Sequence, residues 1–195
     1  MVTGGPTTVL DLGGLRIVSD PTFDAPGPHG YLTKTAGPEV AEDQLGPVDL
    51  VLLSHDNHPD NLDDRGRALA LAAPLVLTTR SGAGRLGHPA VGLGPWTSHV
   101  VDRPDGGSLT VTAVPAVHGP EDGERDPDGF VNCEVIGFVL SGPAVLGPAV
   151  VIPAHYDGWA HFSEGRADLA RAFDDAGLTA QLRLSDHGTW IPLTT

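Results

Sequence analysis

The sequence contains a single cysteine, Cys133, among 195 residues. One cysteine cannot form an intrachain disulfide, and the first residues, MVTGGPTTVLDLGG, lack the basic start and the apolar run of a signal peptide. No apolar run approaches the length of a membrane-spanning helix. We therefore expect a cytoplasmic protein that does not interact with membranes.

Basic residues are also scarce. Lysine and arginine number 11 against 25 aspartates and glutamates, which gives a formal net charge of −14 and a pI near 4.7. A nucleic acid or an anionic membrane would be repelled by such a chain at long range. We expect a small-molecule substrate instead.

What the sequence does have is enough apolar residues, 40% of the total, for one core, so residues 1–195 are expected to form one domain. Short β-type runs bounded by turn residues predict strands at 8–10, 15–19, 48–53, 75–79, 109–114, 135–140 and 149–152. Helical patterns cover 62–73 and 163–176, the second with Ser163 as its N-cap. Strands that alternate with helices predict an α/β fold whose sheets are covered by helices.

The stretch VDLVLLSHDNHPDNLDD, residues 48–64, carries most of the chemical information. A buried strand there runs directly into His55, His58 and Asp60, at the end of the strand where such sheets place their sites. Imidazoles and carboxylates are preferred ligands of Zn²⁺, Mn²⁺ and Fe. The alternative is a polar loop that caps the next helix, with Asp60 or Asn61 as the N-cap.

Two further strands also end in histidine. LTVTAVPAVHGP places His118 after one strand, and AVVIPAHYDGW places His155 after another. A single histidine at a strand end is usually a hydrogen-bonded structural residue. Three such strands together favour a metal site.

In their order along the chain, SHDNHPDNLDDRGR, AVPAVHGP and VIPAHYDGWAHF resemble the metallo-β-lactamase superfamily, in particular the branch similar to ascorbate-phosphate lactonase. The early segments LRIVSDPTF and YLTKTAGP look like the same branch. The resemblance implies an αββα sandwich with a metal site at one edge. It also implies a hydrolase in which a metal-bound hydroxide attacks an ester, a lactone, an amide or a phosphoester.

The same resemblance assigns roles to residues of the site. His55, His58 and His118 would form a first metal position. Asp60 and His155 would contribute to a second position, or Asp60 would orient the attacking water as a base. The metal would be a divalent ion, zinc before manganese or iron, and the number of ions stays open.

The match to the family signature, His-x-His-x-Asp-His, has two local departures. His58 follows a one-residue insertion, and Asn61 occupies the place of the last histidine. If Asn57 took the second place instead of His58, that ligand would be a weak amide.

A larger departure follows Gly142, where only PAVLG precedes Pro148. The family has here a strand that ends in Gly-Asp, whose aspartate bridges two metals, so the fold is expected to be truncated in its second half. Without that carboxylate two close cations repel each other. The alternatives are one ion, two ions, or a non-catalytic relative that binds a partner or a metal without turnover. A sheet edge left open by the shortening would favour a homo-oligomer.

Three more residues are candidates for the surroundings of the site. Asp20 either forms a turn before Pro21 or orients a ligand histidine. Asp157 is close to His155 in sequence but is typical of a turn residue. Trp159 would line the pocket, together with the residues around it, or belong to the core.

Overall fold

The computed structural model describes residues 1–118, 124, 132–142 and 151–192 and shows a mixed α/β fold. The strands are β1 (Val2–Gly4), β2 (Thr7–Leu12), β3 (Leu15–Ser19), β4 (Gly27–His29), β5 (Leu32–Lys34), β6 (Leu50–Leu52), β7 (Val76–Thr79), β8 (Ala90–Leu93), β9 (Ser98–Asp102), β10 (Ser108–Pro115) and β11 (Ile136–Ser141). The helices are α1 (Asp64–Ala72), α2 (Arg80–Leu86) and α3 (Arg166–Asp175), with 3-10 turns at Glu42–Leu45 and Thr179–Gln181.

Six strands form a mixed sheet in the order β1-β2-β3-β6-β7-β8. The pairs β1/β2 and β2/β3 are antiparallel, whereas β3, β6, β7 and β8 run parallel to one another. The short, continuously apolar β6 is buried along its whole length, as expected of a central parallel strand. The parallel arrangement brings the carboxyl ends of β3, β6 and β7 to one edge of the sheet.

A second, antiparallel sheet has the order β11-β10-β9. It packs face to face on the first sheet, because every second residue of β10 is apolar and faces inward. Leu109, Val111 and Ala113 are fully buried in one cluster with Ile17 and Leu77 of the first sheet. This cluster is the centre of the core.

Helix α1 covers the other face of the first sheet, where Ala70 packs with Val51 and Val76. Its N-cap is Asp63, whose side chain accepts a hydrogen bond from the backbone N–H of Gly66. The capping alternative for Asp60 and Asn61 is therefore wrong, since the cap lies further along the chain.

Helix α3 is shorter than its sequence pattern predicts. Its N-cap is Gly165, not Ser163, and the side chain of Asp168 accepts a hydrogen bond from the Gly165 N–H. The section predicted to be missing after Gly142 falls outside the described residues. Within the described part of the chain, no helix has the length and apolar character that crossing a membrane requires.

Candidate metal centre

The site lies where the two neighbouring parallel strands β3 and β6 end. The backbone N–H of Asp20, just after β3, donates to the carbonyl oxygen of Leu52 at 3.0 Å. The carboxylate of Asp20 in turn accepts a hydrogen bond from the Ser54 N–H at 2.7 Å. These bonds fix the start of the loop of residues 55–61, which carries the first candidate ligands.

Three histidines meet at this edge. One ligand nitrogen from each of His55, His58 and His118 lies within 4.8 Å of the other two. Nε2 of His55 is 3.0 Å from Nδ1 of His58, and the ring of His118 contacts both rings at centroid distances of 5.0 and 4.8 Å. His55 and His58 are buried and His118 is exposed, so this three-histidine cluster is deep on one side and reaches solvent on the other.

Burial and the neighbouring imidazoles lower the pKa of His55 to about 3. Desolvation is the larger cause, and the interactions with His58 and His118 add to it. His55 is therefore neutral at physiological pH. A neutral imidazole has a free lone pair, which is the form that ligates a metal.

Asp60 lies beside this cluster in a different group of residues. Its Oδ2 is 3.3 Å from Nε2 of His155 and also 3.3 Å from Nε2 of His161. Burial alone would raise the pKa of Asp60, but the adjacent His155 and then His161 outweigh it, and the pKa is lowered. Asp60 is thus a buried carboxylate in its ionised form.

Two residues at the site have backbone in the left-handed region, which only a few per cent of non-glycine residues adopt. Asp20 has φ 37° and His155 has φ 65°. The backbone N–H of His155 donates to the carbonyl oxygen of Gly5 at 2.8 Å, which holds the histidine near Asp60. Such strain persists where the surrounding structure fixes it, often at functional sites.

Behind the histidines is a polar network around Ser54. Its Oγ lies 2.9 Å from Nδ1 of His55 and accepts a hydrogen bond from Nδ2 of Asn61 at 3.2 Å. Burial raises the pKa of Asp20 in this network to about 6, although hydrogen bonds from Ser54 oppose the rise. Asn61 therefore faces Ser54, and Asp20 holds the backbone of Ser54, whereas a role of Asp20 in orienting a ligand histidine stays a prediction.

Asn57 points away from the cluster. Its side-chain oxygen accepts a hydrogen bond from Nη2 of Arg85 at 2.8 Å. Arg85, on α2, also forms a bidentate pair with Asp56 at 2.8 and 2.6 Å. Of the two alternatives for the second ligand position, the structure places His58 in the cluster and Asn57 outside it.

Asp157 and Trp159 lie at the margin. Oδ2 of Asp157 is 3.4 Å from Nε2 of His187, and Asp157 borders a small polar cavity with Arg166 and Asp186. Trp159 is buried, its ring is 5.6 Å from Nζ of Lys34, and it contacts His161 at a centroid distance of 6.5 Å. Asp157 is thus oriented to His187, whereas Trp159 supports the group around Asp60.

Sequence reasoning missed two contributions to the site. In the sequence Ser54 is only the first residue of the motif SHDNHPDN, although its position directly before His55 places its Oγ against the ring. His161 lies two residues after Trp159, among the residues expected around the pocket, but it contacts Asp60 as closely as His155 does. The signal for His161 was weak because a second histidine six residues after His155 matches no common ligand spacing.

No family model matches the sequence, and no curated protein matches it. Among solved structures, an isothiocyanate hydrolase from Delia radicum gut bacteria is similar, with a TM-score of 0.69, 16% identity and 98% of each chain covered. A structure from Veillonella parvula, described as a possible metal-dependent hydrolase, has a TM-score of 0.69, 12% identity and 95% coverage of each chain. These similarities confirm the mixed α/β, metallo-β-lactamase-like fold. The likeness to the ascorbate-phosphate lactonase branch stays a prediction.

Proposed function

We propose that this protein is a metal-dependent hydrolase whose metal is held by His55, His58 and His118. The observation that carries the proposal is the convergence of three ligand nitrogens within 4.8 Å. These histidines come from two separate segments of the chain, the loop after β6 and the loop after β10. The fold therefore assembles the cluster, which is not a local sequence coincidence.

The residues fit a divalent cation on chemical grounds. His55 is neutral because its pKa is lowered to about 3, and the hydrogen bond between its Nδ1 and Ser54 leaves Nε2 facing the cluster. Three imidazoles with one side toward solvent are typical of a catalytic zinc position, which keeps one coordination site open. We infer zinc as the first choice, with manganese and iron as alternatives.

A divalent cation in this cluster would lower the pKa of a coordinated water and polarise the group to be cleaved. The side chains of the protein would supply the acid–base chemistry and would orient the attacking water. Asp60 is ionised and lies near enough to interact with His55 and His58 electrostatically. Its Oδ1 is buried and has no hydrogen-bond partner among the described residues, so it is available to orient the attacking water and accept its proton.

The substrate class follows from the electrophile that such a site attacks. An ester or lactone, an amide and a phosphoester all qualify, and the net charge of −14 disfavours polyanionic substrates. The isothiocyanate hydrolase, a structural neighbour of almost complete mutual coverage, adds isothiocyanates as a fourth class to test. All of these present an electrophilic centre to water.

The test combines metal content with turnover. Protein purified without added metal or chelator should contain at least one divalent ion per chain and should hydrolyse a member of a panel of lactones, esters, phosphodiesters and isothiocyanates. His118→Ala should lose both the ion and the activity. His99→Ala, which removes a histidine from β9 in the second sheet, is the matched control and should keep both.

Absence of metal from the natural protein, even after incubation with Zn²⁺, would contradict the proposal. Stoichiometric metal without turnover of any substrate class would instead favour the non-catalytic alternative. The position of Asn61, turned to Ser54 where the family has a histidine ligand, is the observation that favours this second candidate.

A further inference from the structure

A tyrosine lies against the three-histidine cluster, on a segment separate from the loops that carry the histidines. The ring of Tyr31 is nearly perpendicular to the ring of His58, at a centroid distance of 6.5 Å. Tyr31 is only partly exposed, and its hydroxyl oxygen is buried. His58 itself is fully buried. Tyr31 therefore borders the cluster on its buried side.

The position of Tyr31 in the chain is unusual for a buried hydroxyl, because it is the tip of the hairpin formed by β4 and β5. His29 pairs with Leu32, so Gly30 and Tyr31 form a two-residue turn. Gly30 has φ 62°, which suits the first central position of such a turn. Hairpin turns usually project into solvent. This one is folded onto a candidate metal ligand instead.

Two sets of contacts hold the hairpin in this place. Lys34 of β5 forms the buried ion pair with Asp63 at the start of α1. Trp159 forms a β-bridge with Lys34, and its ring packs edge to face with the ring of His29 at a centroid distance of 5.7 Å. The location of Tyr31 beside the cluster is thus set by the fold before any substrate binds.

The charges around the cluster leave a role for a neutral hydrogen-bond donor. The cluster consists of imidazoles, and the carboxylate beside it, Asp60, is ionised. Lys34 is paired with Asp63 and Arg85 with Asp56, so these two cations are already held by carboxylates. Negative charge that develops on a substrate during hydrolysis is stabilised by donors fixed in advance. A phenolic hydroxyl in a rigid position is such a donor.

We propose that Tyr31 is a catalytic residue whose hydroxyl donates a hydrogen bond to the substrate oxygen that becomes negative. The oxygen of water bonds to the carbonyl carbon, and the proton of the water passes to Oδ1 of Asp60. The electron pair of the C=O bond moves to the carbonyl oxygen, to which Tyr31 donates. A neutral donor near an ionised carboxylate favours uncharged esters and lactones over phosphodiesters. This inference deepens the proposed function and rests on it.

The first experiment compares two variants that each lose one hydroxyl. Tyr31→Phe keeps the ring against His58, and Tyr156→Phe, at the other tyrosine of the sequence, is the matched control, since that ring lies 6.3 Å from the ring of His187. With an uncharged ester or lactone, Tyr31→Phe should lower kcat by about 10²–10³-fold and leave KM nearly unchanged, because the hydrogen bond strengthens as charge develops. Tyr156→Phe should match the natural protein.

Binding measurements provide a readout that does not depend on turnover. Competition with a chromophoric chelator should give the same Zn²⁺ affinity for the natural protein and both variants. Calorimetric titration of the Zn²⁺-loaded proteins with acetohydroxamate, which presents a partly negative carbonyl oxygen, should show about 10-fold weaker binding for Tyr31→Phe alone. Far-ultraviolet circular dichroism checks that each variant is folded.

The outcomes separate this inference from the proposed function. An unchanged kcat in Tyr31→Phe or, if no substrate of the panel is turned over, an unchanged acetohydroxamate affinity would overturn the role of Tyr31 and leave the metal centre in place. Weaker Zn²⁺ binding by Tyr31→Phe would also overturn it, because the tyrosine would then act through His58. A natural protein that binds neither Zn²⁺ nor acetohydroxamate would overturn the proposed function and this inference together.

Discussion

Ser54 Oγ lies 2.9 Å from Nδ1 of His55, and this contact fixes which nitrogen of the ring faces the candidate metal position. Ser54 also accepts a hydrogen bond from Asn61, so its oxygen is held on two sides. With Nδ1 directed to the serine, Nε2 of His55 faces His58 at 3.0 Å. The serine would thus orient His55 for metal binding through Nε2, with its own Oγ directed to the other ring nitrogen.

Removing that oxygen should weaken metal binding without unfolding the protein. Partners that orient ligand histidines typically contribute about 10–100-fold in metal affinity, so we expect a loss of that size in Ser54→Ala. Competition with a chromophoric chelator measures it. Ser98→Ala, which removes an exposed hydroxyl paired with Thr112 on the second sheet, is the matched control and should bind metal normally. Equal affinity in both variants would refute the orienting role.

Asp20 makes the stability of the metal-free protein depend on pH. Burial raises its pKa from 3.8 to about 6, so the group binds its proton more tightly in the folded state than in the unfolded state. The stabilisation from this group is complete below about pH 4 and is lost as the pH rises through about 6. Asparagine does not titrate. The free energy of unfolding of Asp20→Asn, relative to that of the natural protein, should therefore rise by about 2 kcal/mol between about pH 4 and pH 8.

Urea unfolding of chelator-treated protein across that range provides the measurement for Asp20→Asn. Asp102→Asn, which changes an exposed carboxylate on β9, serves as the control and should run parallel to the natural protein. A constant difference between Asp20→Asn and the natural protein at every pH would show that burial does not govern this carboxyl group.

Gly66, in the first turn of α1, is required for close packing. A Cβ at this position would collide with the backbone carbonyl oxygen of Pro21, which cannot move away as a flexible side chain could. Gly66→Ala should therefore lower the free energy of unfolding by about 1–3 kcal/mol or more. A Cβ at Gly84, in α2, would have no atom within 4 Å. Gly84→Ala should therefore leave the free energy of unfolding unchanged or raise it by up to about 1 kcal/mol. Thermal unfolding of both variants tests the contrast, and equal effects would contradict it.

Lys34 and Asp63 form a buried ion pair that joins β5 to the start of α1. Their charged atoms are 3.2 Å apart, with side chains 4% and 0% exposed. Desolvation lowers the pKa of Lys34, and Asp63 opposes the shift. Lys34→Met would leave Asp63 buried without its counter-charge and should cost about 3–5 kcal/mol.

Two further variants test that explanation by denaturant unfolding. Lys34→Met/Asp63→Asn should be more stable than Lys34→Met alone, because no unpaired charge remains. Asp105→Asn is the control, because it removes one partner of the ion pair between Arg103 and Asp105, in which the aspartate side chain is 48% exposed. It should lower the free energy of unfolding by about 1 kcal/mol at most. A double variant that is no more stable than Lys34→Met alone would contradict the explanation that an unpaired buried charge causes the loss.

Much of the strand layout could be predicted from local pattern. The predicted strand at 15–19 matches β3, and those at 75–79, 109–114 and 135–140 overlap β7, β10 and β11 within two residues at each end. Period-two alternation and turn residues are local properties, so the sequence reveals them. The short strands β1, β4, β5, β8 and β9 were missed, because three to five residues with glycine, proline or polar side chains carry too little pattern.

The sequence by itself determined that a buried strand delivers His55, His58 and Asp60 to one place, since the apolar run and the polar cluster are contiguous. Only the tertiary structure decided which histidines meet. His118 joins the first cluster because the second sheet packs on the first, and His161 joins Asp60 because its segment folds back beside the loop. Contacts between residues roughly 60 to 100 positions apart depend on the packing of whole elements, and no local periodicity encodes that packing.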